Sequence, residues 1–247
     1  MLLAIDIGNT NIKTALIRNG QISNFIVHQD ADQIIDYVNN LEIEKAAICS
    51  VNPLKQKAIS EKLESKSVSV FNANVGYNFN LKIVYESPET LGMDRVCSSV
   101  GSLFLADKQK LLKKNQYLIT IDFGTATTIN IVSPEKEFLG GLIAPGINTM
   151  FRSLNEGTAQ LPLTNKDSYQ GLIGKTTNAS IVSGVINSTL GMINEAVNKL
   201  EENSETTPLI FVTGGNVNFI LPHLKKKVIV DEALVIKGLK TIYDLNK

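Results

Sequence analysis

The sequence predicts an α/β fold made of two duplicated halves. Two observations predict it, and the length allows it. The apolar run Leu2-Leu3-Ala4-Ile5 ends at Asp6 and is followed by Ile7-Gly8-Asn9-Thr10; Tyr117-Leu118-Ile119-Thr120-Ile121 ends at Asp122 and is followed by Phe123-Gly124-Thr125-Ala126. Laid over one another, these stretches match Asp with Asp and Gly with Gly, and set Asn9 opposite Thr125. Strand-like and helix-like patterns alternate through both halves. The 247 residues are enough for one large domain or for two compact ones of about 110–130 residues each. The seam is expected at Lys113-Lys114-Asn115, giving halves 1–114 and 115–247.

In the first half, residues 2–5 read as a strand buried on both faces, and Gly8-Asn9-Thr10 as a turn. Ile12, Ala15, Leu16 and Ile17 suggest a second strand, and residues 21–28 a third. Ile34, Ile35, Val38 and Leu41 recur at helical spacing over 31–41, with Asp30 as the cap. A short buried strand is expected at 46–50. A helix follows at 53–63, with Pro53 in its first turn, and then a strand at 68–71. Residues 72–85 form a polar loop leading to an extended piece at 81–84. The stretch 88–112 reads as one helix or two, with Ser87 as a cap and a basic exit over 108–114.

The second half opens with strands at 117–122, 125–132 and 138–144. Pro145-Gly146 breaks the third, and a helix begins over 147–154. Residues 156–172 are irregular and polar. The longest helix is expected at 176–200, with Ile181, Val185, Leu190, Ile193 and Val197 on its apolar face. A strand at 209–212, a short helix at 216–221, a strand at 228–230 and a helix at 233–245 complete the chain.

Composition narrows the partners. Apolar residues make up 43% of the chain, and 24 basic residues balance 24 acidic ones. No overall field therefore favours nucleic acid or an anionic membrane, and a phosphate site must be local. Cys49 and Cys97 are far apart and outside any CxxC pattern, which argues against a disulfide framework or a zinc site. No stretch approaches the roughly 18 apolar residues of a membrane span. The start lacks the basic and long apolar segments of a signal peptide. A soluble, cytoplasmic protein is expected.

The Asp6–Lys13 stretch suits a phosphate site. A carboxylate at a strand end can hold a metal ion, Gly lets backbone approach closely, and Asn, Thr and Lys can donate to phosphate oxygens. Ordinary hairpins also carry Asn, Gly and Thr in their turns, so this stretch alone leaves both readings open. Asp94 and Arg95, adjacent near a helix start, describe by themselves a surface pair worth little. Gly174-Lys175-Thr176-Thr177 ends like a Walker A loop, but Tyr169 stands where that motif needs Gly and no buried strand leads in. It reads as a Thr-capped helix start. His28 and His223 read as structural or surface residues.

The ordered set Asp6-Ile7-Gly8-Asn9-Thr10-Asn11-Ile12-Lys13, Gly92-Met93-Asp94-Arg95, Asp122-Phe123-Gly124-Thr125-Ala126-Thr127-Thr128, Gly140-Gly141-Leu142-Ile143-Ala144-Pro145-Gly146, Thr158-Ala159-Gln160-Leu161-Pro162 and Thr213-Gly214-Gly215 spans nearly the whole chain. It resembles the type III pantothenate kinases, within the acetate and sugar kinase, heat-shock protein 70 and actin superfamily. The resemblance implies two actin-like (ribonuclease H-like) halves with mixed β-sheets flanked by helices. It also implies ATP-dependent phosphorylation of pantothenate to 4′-phosphopantothenate, the first step toward coenzyme A.

By the same resemblance, Asp94 is the general base, and Tyr85, Gly92, Met93, Asp94, Arg95 and Thr177 contact pantothenate. Asp6, Ile7, Gly8, Asn9, Thr10, Asn11, Ile12, Lys13 and Thr125 bind ATP. Asp122 holds a monovalent cation, potassium or ammonium; Asp6 is assigned to magnesium. The Thr213-Gly214-Gly215 turn lies near adenosine, and the enzyme works as a homodimer. Asn130, where the pattern often has Asp, and Ser102, where Ala is common, depart from it. Two other functions remain open at this stage: a related small-molecule kinase with another acceptor, and a non-catalytic nucleotide-binding regulator.

Overall fold

The computed structural model describes residues 1–39, 41–166, 169–204 and 206–247. Asn40, inside the expected first helix, and residues 167–168, inside the expected irregular stretch, lie outside the described residues. The first sheet's strands are β1 (Leu2–Ile7), β2 (Ile12–Arg18), β3 (Gln21–His28), β4 (Lys45–Ser50) and β5 (Ser69–Asn72). Helices α1 (Ala31–Asn39) and α2 (Pro53–Glu64) alternate with the later ones, and a two-residue strand β6 (Lys82–Ile83) precedes helix α3 (Met93–Lys108). There follow β7 (Leu118–Phe123), β8 (Ala126–Val132), β9 (Glu137–Pro145), α4 (Ile147–Glu156) and α5 (Thr177–Glu202). The chain closes with β10 (Leu209–Thr213), α6 (Val217–Ile220), β11 (Ile229–Val230) and α7 (Leu234–Asn246).

Two compact units emerge: Met1–Leu111 with Glu135–Leu139 and Ala233–Lys247, and Leu112–Pro134 with Gly140–Glu232. In the first, the strand order is β3-β2-β1-β4-β5. β1 pairs antiparallel with β2 and parallel with β4, and every residue of β1 is buried. One face carries Leu3, Ile5 and Ile7, which pack with Ile34 of α1 and with Ile59 and Leu63 of α2. At the centre of the other face stand three small residues, with Ala4 opposite both Ala15 and Ala47 in register. Such a face admits close helix approach, and α7 lies against β1 and β4.

The α3–α7 contact is closer still. A Cβ on Gly101 would overlap the Leu234 carbonyl, and one on Gly238 would overlap the Cys97 carbonyl, so both positions require glycine for the helices to touch backbone to backbone. Ser102, one of the departures from the family pattern, is fully buried on α3.

The second sheet has the order β11-β10-β7-β8-β9-β6. β7 pairs antiparallel with β8 and parallel with β10, repeating the arrangement around β1. One face, carrying Ile119, Ile121, Phe123, Ile129, Ile210 and Val212, joins a core with Ile147 and Phe151 of α4 and with Val182, Ile186 and Val197 of α5. Asp122 belongs to the other face, opposite Thr128 on one side and Thr213 on the other.

Ser87 is not the cap of α3: it precedes a separate 3-10 turn at Pro88–Thr90, where its carbonyl accepts the Thr90 N–H at 3.1 Å while its side chain takes the Thr90 hydroxyl and caps no backbone N–H. Gly92 occupies the cap position of α3 without a side chain to bond. Asp30, by contrast, accepts the Gln33 N–H at 3.0 Å ahead of α1.

Candidate active site

In the first unit the site begins where β1 ends. Asp6 is 6% exposed, because β2 and β4 flank it and its neighbours in the row, Lys13 and Cys49, stand directly opposite. Lys13 Nζ lies 3.8 Å from Asp6 Oδ2. The turn that follows is closed by the Gly8 N–H bonding to the Asn11 carbonyl at 3.0 Å. Asn9, Thr10 and Asn11 are exposed, whereas Ile7 and Ile12 are buried in the core and can offer a ligand only their backbone. Lys55, in the first turn of α2, donates to the Asn9 carbonyl at 3.3 Å and adds a second cation beside this loop.

Asp94 sits in the first turn of α3, and its Oδ1 accepts the Arg95 N–H at 2.8 Å. Burial pushes its carboxyl above the ordinary aspartate range, although the Arg95 N–H, the Arg95 charge and the Lys13 charge all oppose this. A helix N-terminus also favours the anion, so desolvation outweighs four favourable influences. Lys13 therefore acts electrostatically on both Asp6 and Asp94. Cys49 is held as a neutral thiol by its hydrogen bond with Cys97, by burial, and by the carboxylates of Asp6 and Asp94. It is no nucleophile.

Arg95 is buried, with its guanidinium carbon 5.8 Å from the centre of the Tyr85 ring. Met93 is buried too, so its side chain belongs to the core and only its backbone is available to a substrate. Asp6, Lys13, Tyr85, Asp94 and Arg95 all fall in this unit.

The second unit carries the other cluster. Gly124 N–H bonds to the Ala126 carbonyl, and the Thr125 carbonyl accepts both the Gly146 N–H at 2.9 Å and the Thr149 hydroxyl at 2.7 Å. The Thr125 side chain is left exposed. Gly214 has φ +102°, and a Cβ there would overlap Asp122 Oδ1, so glycine is required on both counts. Asn216 then clasps the Phe123 carbonyl through its backbone N–H and its side-chain amide. Thr177 is not part of this bonding among the described residues; it is the exposed first residue of α5, whose cap is Thr176.

The donor sets fit different ions. No group of three or more His, Cys, Asp or Glu side chains able to hold a metal occurs among the described residues. Magnesium does not need one, since one or two carboxylates with substrate phosphates suffice, and Asp6 fits that requirement. At Asp122, the neighbouring Thr213 is fully buried and its hydroxyl lacks a hydrogen-bond partner. That orphaned oxygen beside a carboxylate suits a weakly held hard cation. Lys55 and Thr213 reach these sites only through tertiary pairing, Lys55 with the Asn9 carbonyl and Thr213 with Asp122 across the β10–β7 register, so no local sequence signal marks either role.

A family model described as type III pantothenate kinase matches residues 2–199. A Flavobacterium psychrophilum protein named type III pantothenate kinase is 32% identical over 251 residues, covering 100% of both chains. The crystal structure of a Campylobacter jejuni protein described as a Baf family transcriptional activator matches with a TM-score of 0.67 and 20% identity, over 98% of this chain and 97% of that one. A ROK family glucokinase from Streptomyces griseus, solved with glucose and AMPPNP, matches with a TM-score of 0.52 and 11% identity, over 99% and 98%. At these identities the two structures speak to fold, and the expected fold of mixed sheets flanked by helices is the one observed.

Proposed function

Because the chain belongs to the type III pantothenate kinase family, we propose that it transfers the γ-phosphoryl group of ATP to the primary hydroxyl of pantothenate. The product is 4′-phosphopantothenate, for coenzyme A biosynthesis. The observation that carries this reading is Asp94, a carboxylate made more basic by burial and fixed by the Arg95 N–H. Asp94 takes the hydroxyl proton as the oxygen attacks the γ-phosphorus in line; the bond to the ADP oxygen breaks, and the proton remains on Asp94.

Phosphoryl transfer is mostly positioning and charge stabilisation. The Gly8–Lys13 loop, with Asn9, Thr10, Asn11 and Lys13 as donors, receives the phosphates. Ile7 and Ile12 take part through their backbone. Asp6 would hold the magnesium ion, which would supply positive charge to the phosphates. Arg95 binds the pantothenate carboxylate, with Tyr85, Gly92, Met93 and Thr177 around the substrate. Thr125 contacts ATP, and Asp122 with the Thr213 hydroxyl would hold a potassium or ammonium ion, which would supply a positive charge. The working unit is a homodimer in the cytoplasm, to be checked by sedimentation equilibrium. No helix among the described residues is long and apolar enough to cross a membrane.

Pantothenate-dependent release of ADP, with ATP, magnesium and potassium present, tests the reading. Release that follows the pantothenate concentration supports it. Release without pantothenate, or ATP binding with no release, moves the assignment to another acceptor or to a nucleotide-binding regulator.

A further inference from the structure

Phe138, on β9, brings an aromatic ring to the Arg95 guanidinium. It is fully buried, and the Arg95 guanidinium carbon lies 5.6 Å from its ring centre and 5.8 Å from that of Tyr85. Both are within the roughly 6 Å over which a ring face attracts a cation. The two rings themselves stand edge to face, with centres 6.2 Å apart and planes at 64°. The guanidinium is thus in contact with two rings that meet at an angle.

The backbone explains how the rings come together. β6 has only two residues, a length that is marginal alone, and it runs parallel to the start of β9 with Ile83 opposite Phe138. Val84 N–H bonds to the Phe138 carbonyl at 3.0 Å, and Lys82 N–H to the Lys136 carbonyl at 2.9 Å. Lys82 Nζ pairs with Glu137 Oε1 at 2.6 Å. This short ladder fixes Tyr85, two residues beyond Ile83, against Phe138.

We propose that Phe138 is a positioning residue for pantothenate: with Tyr85 it locks the Arg95 side chain so that the guanidinium edge is presented to the substrate carboxylate. A long arginine side chain has much rotamer freedom to lose on binding, and packing against two rings removes part of that freedom in advance while the guanidinium keeps the planar donor fork that matches a carboxylate. The proposal rests on the pantothenate kinase reading above. It predicts a selective effect on recognition of the negative charge, not on phosphoryl transfer.

The test compares wild type, Phe138→Leu, Phe138→Met and Phe138→Tyr. The ligands are pantothenate and pantothenol, the neutral alcohol in which a hydroxymethyl group replaces the carboxylate. Calorimetric binding and steady-state kinetics are read together. Loss of the ring should raise the pantothenate Kd and KM about tenfold, the scale of one partly desolvated cation–π contact. The Kd for pantothenol, kcat and the ATP KM should change less than about threefold, and Phe138→Tyr should restore pantothenate binding. Phe138→Met keeps volume without a ring and serves if the leucine variant does not fold.

Equal weakening of both ligands, a fall in kcat at unchanged KM, or no restoration by tyrosine overturns the proposal. Absence of pantothenate-dependent turnover in the wild type is a separate result, and it overturns the functional reading instead.

Discussion

A side chain at Gly92 would collide with Asp94. A Cβ built on Gly92 falls 2.5 Å from Asp94 Oδ1, the same oxygen that accepts the Arg95 N–H. Gly92 has an ordinary extended backbone, with φ −59° and ψ 127°, so conformational freedom is not what the position requires. Space for the carboxylate is. Gly92→Ala should therefore fold, losing about 1 kcal/mol or less for a poorer helix cap. Its kcat should fall roughly 10- to 100-fold because the base is turned away from its bond. Thermal melting beside kinetics checks this; full activity in a folded variant would detach Gly92 from Asp94.

The raised carboxyl of Asp94 fixes the sign of two pH effects. A base must be ionised, so kcat/KM should decline as pH falls through a value above the ordinary aspartate pKa of about 3.9. Stability runs the other way. A carboxyl whose folded pKa is raised stabilises the fold below its unfolded pKa, and that contribution is lost as pH rises through the folded pKa. Asp94→Asn, which removes the buried charge and keeps an oxygen for the Arg95 N–H, should melt higher than wild type at neutral pH. The difference should shrink below pH of about 4. Urea titrations of both proteins at the two pH values read it directly.

The glycine contact between α3 and α7 sets a stability prediction within the first unit. Added methyl groups at Gly238 meet the Cys97 carbonyl, which is backbone and cannot rotate away. Gly238→Ala should cost about 1–3 kcal/mol, as overpacking of a tight core does, and the urea midpoint should drop without a change in slope. Gly184, where nothing lies near an added Cβ, is the control: alanine there should be neutral or mildly stabilising.

Removal of the Asp122 carboxylate should abolish potassium binding. At potassium about tenfold over its Kd, in the presence of ATP and magnesium, wild type should gain about 1.4 kcal/mol of stability. Asp122→Asn should gain none, as read by thermal shift against a choline chloride control. Equal stabilisation of both proteins would place the cation elsewhere.

Much of this was legible along the chain because the signals are local. Leu2-Leu3-Ala4-Ile5 announces a strand covered on both faces, and Asp6 marks its end. Asp30 and Thr176 cap the helices they precede, since a cap needs only three neighbouring residues. The pairings that build the sites are not local. Gly101 and Gly238 touch across more than half the chain, and nothing in either sequence neighbourhood points to the other. Tyr85 meets Phe138 through the pairing of a two-residue strand with β9, and Arg95 reaches both rings from α3, more than 40 residues before Phe138. Ser87 is of a residue type that caps helices, but it precedes the separate 3-10 turn at Pro88–Thr90, and α3 starts only at Met93. The balance at Asp94, where burial outweighs the favourable influence of Arg95 and Lys13, depends on the packed structure.

The most direct test of the central claim is pantothenate-dependent ADP release by wild type and by Asp94→Asn, under saturating ATP, magnesium and potassium. Loss of a general base predicts a fall in kcat of about 100-fold or more, with pantothenate and ATP still bound by the variant. A variant that keeps its kcat within about threefold, well short of the effect of losing a base, would contradict the assignment of Asp94 and the mechanism built on it.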